Sequence, residues 1–455
     1  MLEADLPGGG LRTFPTLRGS RGCDAVVVGG GIAGLMTACL LAEQGISVVL
    51  LEARRLGCGS SAACMGMAAA DQYDAYRTAA AVSTEACVTW ARMTLSALEC
   101  LPALLGRWRI PCALRRERFV RYAVTSAEAE RLRDWLALAG RLHLPVRETQ
   151  DHGDCPVPVR CAAEMPEQLQ FDAARFFSGL IDAAVRLGVS IYEQSAVRAI
   201  RRDDMLTEEG TVASPHVILA TGWPVGMQDA SQLNLLRQDA YLSVRMTGGM
   251  PCHASFQHDG RDGMRLMSSA YGLEVSCRLG AVGTKSSEKQ IEASRRRIGL
   301  QLRDWSILHE SVQPCVVSAA GLPLIGPLSR DNPRILALAG FGRNGVVQSY
   351  LAAELLVRHL MGRPEPDAAL FHPCGAYHQQ ALRCVHPGEN RLRAAAANLH
   401  HGRPYCPHMG SRMRWNEARM LWECPCHGSA FTPRGDCLTA PAIENASVPE
   451  RFRRD

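Results

Sequence analysis

A short apolar run, Asp24–Val28, leads directly into Gly29-Gly30-Gly31-Ile32-Ala33-Gly34. The apolar stretch Leu35–Glu43 follows and stops at Gly45, and a second run, Val48–Leu51, ends in Glu52. Runs of this kind suit strands buried on both faces of a parallel sheet, so the segment predicts a strand–turn–helix–strand unit. The glycine spacing is specific. Gly29 permits the tight turn, Gly31 lets a pyrophosphate approach the backbone, and Gly34 lets the helix pack close to the strand. The helix N-terminus leaves N–H groups free for phosphates. Glu52 lies about 20 residues on, where a carboxylate can accept hydrogen bonds from ribose hydroxyls. A Gly-rich turn that binds no nucleotide is the competing reading; the flanking strands and the terminal acid weigh against it. NAD and FAD share this fingerprint, so the choice between them has to come from elsewhere.

The chain of 455 residues has room for two or three domains. Its net charge of +5 is spread along the sequence without a dense Lys/Arg block. Nucleic acid and a membrane surface are therefore not expected partners. No uninterrupted apolar run reaches the roughly 20 residues that span a bilayer. The acidic start, Met1-Leu2-Glu3-Ala4-Asp5, lacks the basic and apolar regions of a secretory signal. A cytoplasmic location is expected. Ser83–Trp108 and Thr125–Leu142 read as amphipathic helices, the second opening with Thr125 and Glu128 spaced as a capping box. Asp172–Leu187 is a third, stopped by Gly188, with Phe171, Phe176, Phe177 and Leu180 as core.

Of the 18 cysteines, those from Cys23 to Cys384 are scattered singly and read as reduced, small core residues. The last four, Cys406, Cys424, Cys426 and Cys437, are interleaved with histidines. Cys406-Pro407-His408 is followed, fifteen residues on, by Cys424-Pro425-Cys426-His427-Gly428-Ser429. This C-x-H…C-x-x-H pattern supplies two thiolates and two imidazoles from two loops. It matches a Rieske [2Fe–2S] centre, in which His replaces Cys on one iron. Cys406 and Cys424 would hold one iron, His408 and His427 the other. The same donors could hold a tetrahedral zinc, or stand as a reduced remnant without metal. A c-type haem is excluded, because C-x-x-C-H needs a Cys where Glu423 stands.

Beyond the Gly-rich turn, Glu52-Ala53-Arg54-Arg55-Leu56-Gly57-Cys58-Gly59-Ser60-Ser61 resembles the segment after the second strand in D-amino-acid oxidase-like FAD oxidoreductases. There a basic residue follows the acid, here Arg54, and a Gly-Ser/Thr-rich loop runs under the flavin, here Ser60 and Ser61. Val197, in Ser195–Ile200, resembles that family's strand beside the adenine, and Val217–Gly222 its Ala-Thr-Gly strand end, with Thr221 and Gly222 at the cofactor. Gly321-Leu322-Pro323-Leu324-Ile325-Gly326 is similar to its G-x-P-x-I-G. Ala339–Gly345 looks like a second Gly-rich turn, in which Gly340 and Gly345 open a helix aimed at the flavin pyrimidine. The matches come in family order over roughly residues 20–362, and the resemblance implies FAD. The whole chain resembles bacterial members of this class with a fused C-terminal Rieske domain.

Three departures stand out. That group has a Cys where Ser411 stands, disulfide-bonded to the counterpart of Cys426; the resemblance therefore implies a missing clamp here. Phe431 replaces a Tyr that donates to a ligand sulfur, which should lower the potential, while Ser429 can still donate to a bridging sulfide. Finally, the stretch from about Arg363 to Tyr405 is short for a Rieske base, and Arg391–Asn398 looks more helical than β.

The expected architecture is α/β: a Rossmann-like FAD-binding domain with an antiparallel-sheet substrate domain, plus a small, truncated, β-rich C-terminal Rieske domain. Its parts are an extension (1–22), the oxidoreductase (23–362, substrate sheet around 238–320), a linker or incomplete Rieske base (363–400), the cluster-binding segment (401–447) and a tail (448–455). The expected function is oxidation of a small amine or hydroxy compound by FAD, with electrons passed to the [2Fe–2S] cluster and on to an unidentified acceptor. Arg343, in Gly342-Arg343-Asn344-Gly345, resembles a position that holds a substrate carboxylate in glycine oxidase. The second Arg of amino-acid oxidases, just before G-x-P-x-I-G, is absent: that neighbourhood reads Gln313-Pro314-Cys315. His253 and His258 are further candidates for the substrate side. Two other readings compete, a non-catalytic electron relay between proteins and an oxygen-using oxidase whose tail binds zinc or nothing.

Overall fold

The computed structural model describes residues 11–225, 234–249, 252–260, 263–283, 285–384, 404–417 and 419–453. Ala25–Val28 and Val48–Leu51 are strands in which every residue is buried, as their β-branched and leucine-rich runs require. They lie side by side and parallel, joined by the helix Ile32–Glu43. That helix is apolar on all sides because it is covered on all sides: it packs on the sheet and against the helices Ala173–Arg186 and Gly345–Leu360. The sheet has six strands in the order Leu324–Pro327, Ile335–Ala339, His216–Gly222, Ala25–Val28, Val48–Leu51, Ser190–Tyr192. All its pairings are parallel except the first. This is the expected Rossmann-like domain.

The second sheet is larger than the sequence reading of 238–320. Trp305–Ser318, Leu236–Gly248, Gly272–Ala281, Arg265–Ser269 and Ser255–His258 run antiparallel in that order. The sheet then continues through Arg115–Ala123, Cys161–Gln170 and Met67–Ala68, with Arg147–Thr149 paired to Cys161–Gln170. The join between Ser255–His258 and Arg115–Ala123 is parallel, so the sheet is mixed. It packs its own apolar core, distinct from that around the Rossmann helix.

Three helix starts carry side-chain caps, the last of them read from sequence. Ser83 accepts the Ala86 N–H ahead of Thr84–Arg107, and Asp172 accepts the Arg175 N–H ahead of Ala173–Arg186. Thr125 and Glu128 form a complete capping box before Ser126–Arg141.

The C-terminal segment is small. Three short strands, Arg414–Asn416, Leu421–Glu423 and Ala430–Phe431, form an antiparallel sheet. Cys406, Met413, Trp422, Cys424 and Phe431 bury a core of their own beneath it. The helical reading of Arg391–Asn398 lies outside the described residues. Among the described residues no helix is long and apolar enough to cross a membrane.

Candidate functional site

The C-terminal ends of Ala25–Val28, Val48–Leu51 and His216–Gly222 open onto one cavity of about 380 Å³. This edge of a parallel sheet is where such folds bind ligands. Gly29, Gly31, Glu52, Arg54, Ser60, Ser61, Val197, Thr221, Gly222, Gly340, Arg343 and Gly345 all line it. Gly34 does not; it acts one layer down, where a Cβ would stand 1.9 Å from the Gly29 carbonyl oxygen. Glu52 accepts the N–H groups of Gly30 (2.8 Å) and Arg54 (2.9 Å), and burial raises its carboxyl above the ordinary range. The Ser61 hydroxyl accepts the Ile32 N–H at 3.1 Å, so this loop lies across the helix N-terminus. Ser60 donates to the Pro314 carbonyl at 2.7 Å, tying the same loop to the large sheet. Val197 lies between two short strands, a correction to its expected place within one. The glycine cradle, the ribose-side acid and the helix N-terminus together fit a dinucleotide.

At the other end of the cavity the helix Gly345–Leu360 begins, preceded by the single turn Gly342–Asn344. Arg343 donates to the Gln257 side-chain oxygen (3.2 Å) and to the carbonyls of Gly263 (2.5 Å) and Ser276 (3.3 Å), with its guanidinium 5.1 Å from the Tyr241 ring centroid. Arg265, buried, shares that Gln257 oxygen at 3.0 Å and donates to Asn344 at 3.1 Å. Neither arginine forms an ion pair with a described carboxylate. Burial lowers both guanidiniums, Arg265 well below its ordinary value with Arg343 as a further cause. Among the described residues both are held by neutral acceptors, an arrangement that could take an anion. Nothing in the sequence marked Arg265; it arrives on a strand far from the G-x-P-x-I-G segment.

His253 and His258 do not line the cavity. His253 is exposed and meets Asp154 at 2.6 Å, and His258 is buried between Glu128 (3.3 Å) and Arg297 (2.8 Å).

Two further loops lie beside this cavity, and they repeat one backbone design. Cys406 N–H donates to the Ser411 carbonyl (2.8 Å), and Gly410 N–H closes back on the Cys406 carbonyl (2.9 Å). Cys424 N–H donates to the Ser429 carbonyl (2.8 Å), and Gly428 N–H closes on the Cys424 carbonyl (3.0 Å). Each loop thus presents one Cys and one His. Cys406 and Cys424 are buried and hydrogen-bonded thiol to thiol, while His408 and His427 are half-buried with ring centroids 5.2 Å apart. Contact with Cys424 lowers the Cys406 thiol, and contact with Cys406 and Cys426 raises Cys424 well above its usual value. Two touching thiols cannot both ionise unless a cation compensates them. Among the described residues, no three His, Cys, Asp or Glu converge on one ion position. The donors pair off two and two, which fits a dinuclear cluster better than a single tetrahedral ion. No disulfide joins the seventeen cysteines whose side chains are described. At the position of the expected missing disulfide, the Ser411 hydroxyl stands 3.0 Å from the Cys426 sulfur, both buried. Phe431 is fully buried, and Ser429 hydrogen-bonds to the Cys406 sulfur and accepts the Ala442 N–H (3.1 Å).

The two sites share a wall. Cys437, Leu438, Thr439, Ala440, Ala442 and Ile443 from the C-terminal segment line the same cavity as Gly29 and Gly31. Arg198 donates to the Ile443 carbonyl at 2.8 Å. The Trp223 ring, which also lines the cavity, lies 5.5 Å from the His427 ring centroid.

Fold and site define a flavin-type α/β oxidoreductase with an appended iron–sulfur segment. The FAD dependent oxidoreductase (DAO) model matches residues 24–359 and the Rieske [2Fe-2S] domain model matches 391–450, so the chain belongs to the FAD dependent oxidoreductase family and carries a C-terminal Rieske domain. The protein YhfW of Bacillus subtilis, provisionally named as a Rieske 2Fe-2S iron–sulfur protein, is 24% identical over 95% of this chain and 94% of its own. L-proline dehydrogenase from P. horikoshii superposes with a TM-score of 0.64 at 15% identity, over 78% of this chain and 98% of that one. Glycine oxidase from Geobacillus kaustophilus gives 0.62 at 20% identity, over 76% and 96%. The cofactors are FAD, bound by the first domain, and a [2Fe–2S] cluster, bound by the second.

Proposed function

We propose that this enzyme oxidises a small amine or hydroxy compound bearing a carboxylate, and that the electrons pass from FAD to its own Rieske cluster. The observation that carries this reading is the shared wall: six residues of the C-terminal segment line the cavity that opens on the dinucleotide turn. FAD, when bound, supplies a two-electron acceptor, and the cluster a one-electron carrier.

In this reading Gly29, Gly31 and Gly34 shape the pyrophosphate turn, and Glu52 takes the ribose. Arg54, Ser60, Ser61, Val197, Thr221, Gly222, Gly340 and Gly345 complete the FAD contacts. Cys406 and Cys424 hold one iron, His408 and His427 the other. Arg343 receives the substrate carboxylate, and Arg265 stands beside it on their common partner Gln257. That arrangement orients the bond to be oxidised, and the low-dielectric surroundings strengthen the pairing. Arg265 thereby answers the absence of an arginine at Cys315.

The test is anaerobic addition of carboxylated amines and hydroxy acids, one at a time, followed by optical and EPR spectroscopy. Bleaching of the flavin together with a rhombic Rieske-type signal is expected. Flavin bleaching without that signal, in protein whose cluster dithionite does reduce, would defeat the relay. Peroxide formation in air would then point to the conventional oxidase. A flavin that no small donor bleaches would instead favour a relay between proteins.

A further inference from the structure

Trp223 is fully buried, directly follows the Ala-Thr-Gly strand end, and has two faces to account for. One face packs edge-on against His427, with ring centroids 5.5 Å apart at 66°. Trp223 also belongs to the cavity wall, and its indole N–H has no hydrogen-bond partner among the described residues. A buried indole N–H normally finds an acceptor. A group bound in the cavity that Trp223 lines can supply that acceptor.

Three other contacts hold the histidine-bearing loop at this place. With its amide oriented to donate, Gln238 reaches the carbonyls of His427 (3.2 Å) and Gly428 (2.7 Å). Gly283 lies so close beneath the loop that a Cβ would stand 2.8 Å from the Pro425 Cα. Its N–H donates to Glu423 at 3.1 Å, and that carboxylate is fixed in turn by Asn416 (3.1 Å) and Arg419. Trp223 and Gln238 come from the oxidoreductase body, as does Gly283, so the loop is docked by three separate segments.

We propose that Trp223 is the bridge between the two redox centres: its ring seats His427 against the flavin cavity and its N–H donates to an acceptor on the bound FAD. The inference rests on the relay reading above and adds that the relay works in place, without a swing of the Rieske domain. With both groups bound, Trp223 and His427 would stand between a two-electron donor and a one-electron carrier; an external one-electron acceptor would take each electron in turn from the cluster, and the protons would go to solvent.

The experiment compares the full-length holoprotein with Trp223→Ala and Trp223→Phe, each taken only with full iron and flavin content. The flavin is photoreduced anaerobically with a sacrificial amine donor, so no substrate is needed. Cluster reduction is followed by freeze-quench EPR, and amide hydrogen exchange is measured over residues 424–429. Trp223→Ala is expected to slow flavin-to-cluster transfer at least tenfold and to raise exchange in that loop. Trp223→Phe keeps a ring on His427 and loses the donor. It is expected to transfer within about threefold of wild type while its Kd for FAD rises about fivefold, the worth of one hydrogen bond. Wild-type transfer with a Trp223→Ala variant equally fast and equally protected would overturn the bridge and leave the relay standing. A wild-type flavin that leaves its cluster oxidised would overturn both.

Discussion

Replacing Ser411 with Cys tests whether the cluster loops are built as closely as the structure shows. The Ser411 hydroxyl is 3.0 Å from the Cys426 sulfur. A carbon–sulfur bond reaches about 0.4 Å further than carbon–oxygen, leaving roughly 0.5 Å to close before a disulfide at about 2.05 Å can form. Small side-chain rotations supply that. The bridge would close a loop of 15 residues, worth about 3 kcal/mol through the unfolded state. Loss of the present hydrogen bond costs about 1 kcal/mol. The net gain is about 2 kcal/mol, which at about 2 kcal/mol per molar urea moves the midpoint for cluster loss by about 1 M. The assay is Rieske EPR amplitude against urea, with thiols counted in denatured, unreduced protein. Wild type has 18 cysteines; the variant should count one thiol fewer than wild type despite its extra cysteine. A bridge that forms and leaves the urea midpoint unmoved would refute the entropy argument, and a bridge that oxidant cannot form would refute the contact.

Phe431→Tyr restores a hydroxyl beside the cluster and is expected to raise its midpoint potential by about 60 mV, the one-electron equivalent of a 1.4 kcal/mol hydrogen bond; an EPR redox titration showing no shift would refute this. Arg343→Met should lower kcat/KM for a carboxylated substrate about 10- to 100-fold while sparing its decarboxylated analogue, and an equal loss on both would remove Arg343 from substrate recognition. Burial lowers the His378 imidazole to about 4, whereas in the unfolded chain it titrates near 6.5. Above that value both states are neutral and nothing is lost. As pH falls through the window the unfolded chain takes the proton first, so stability should drop by about 2 kcal/mol between about pH 7.5 and 5. His378→Asn keeps the donor that His372 accepts and should flatten that dependence in urea melts; an unchanged slope would assign it to other groups.

What the sequence revealed, and what it hid, follows from where each constraint acts. The dinucleotide turn was legible because its requirements are backbone requirements within thirty residues: Gly34 is needed by Gly29, and Glu52 by Gly30. The cluster ligands were legible because each loop carries its own pair. Strand Arg115–Ala123 was not, because its charges disguise it. Arg121 looks solvent-facing but is buried against Asp71 and Asp259. Cys161–Gln170 hides Glu164 in the same way, under Arg147 and Arg118. Arg265 and Trp223 were invisible for a different reason. Their roles are set by partners such as Gln257, Asn344 and His427, and no local spacing encodes those meetings.

The two cluster loops share one backbone design but not one kind of support, and that bears on the missing disulfide. Gln238, Gly283 and Trp223 all grip the second loop, Cys424–Ser429, from the oxidoreductase body. The contacts described for the first loop, Cys406–Ser411, lie within the Rieske segment itself: Ser411 on Cys426, Ser429 on the Cys406 sulfur, and His408 on His427. A disulfide at Ser411 would tie this first loop to one that the body already holds. Docking and disulfide thus act on the same degree of freedom, the separation of the two ligand pairs. With Ser411 in place of a cysteine, the contacts from the body to the second loop and the Ser411–Cys426 hydrogen bond are what hold that separation.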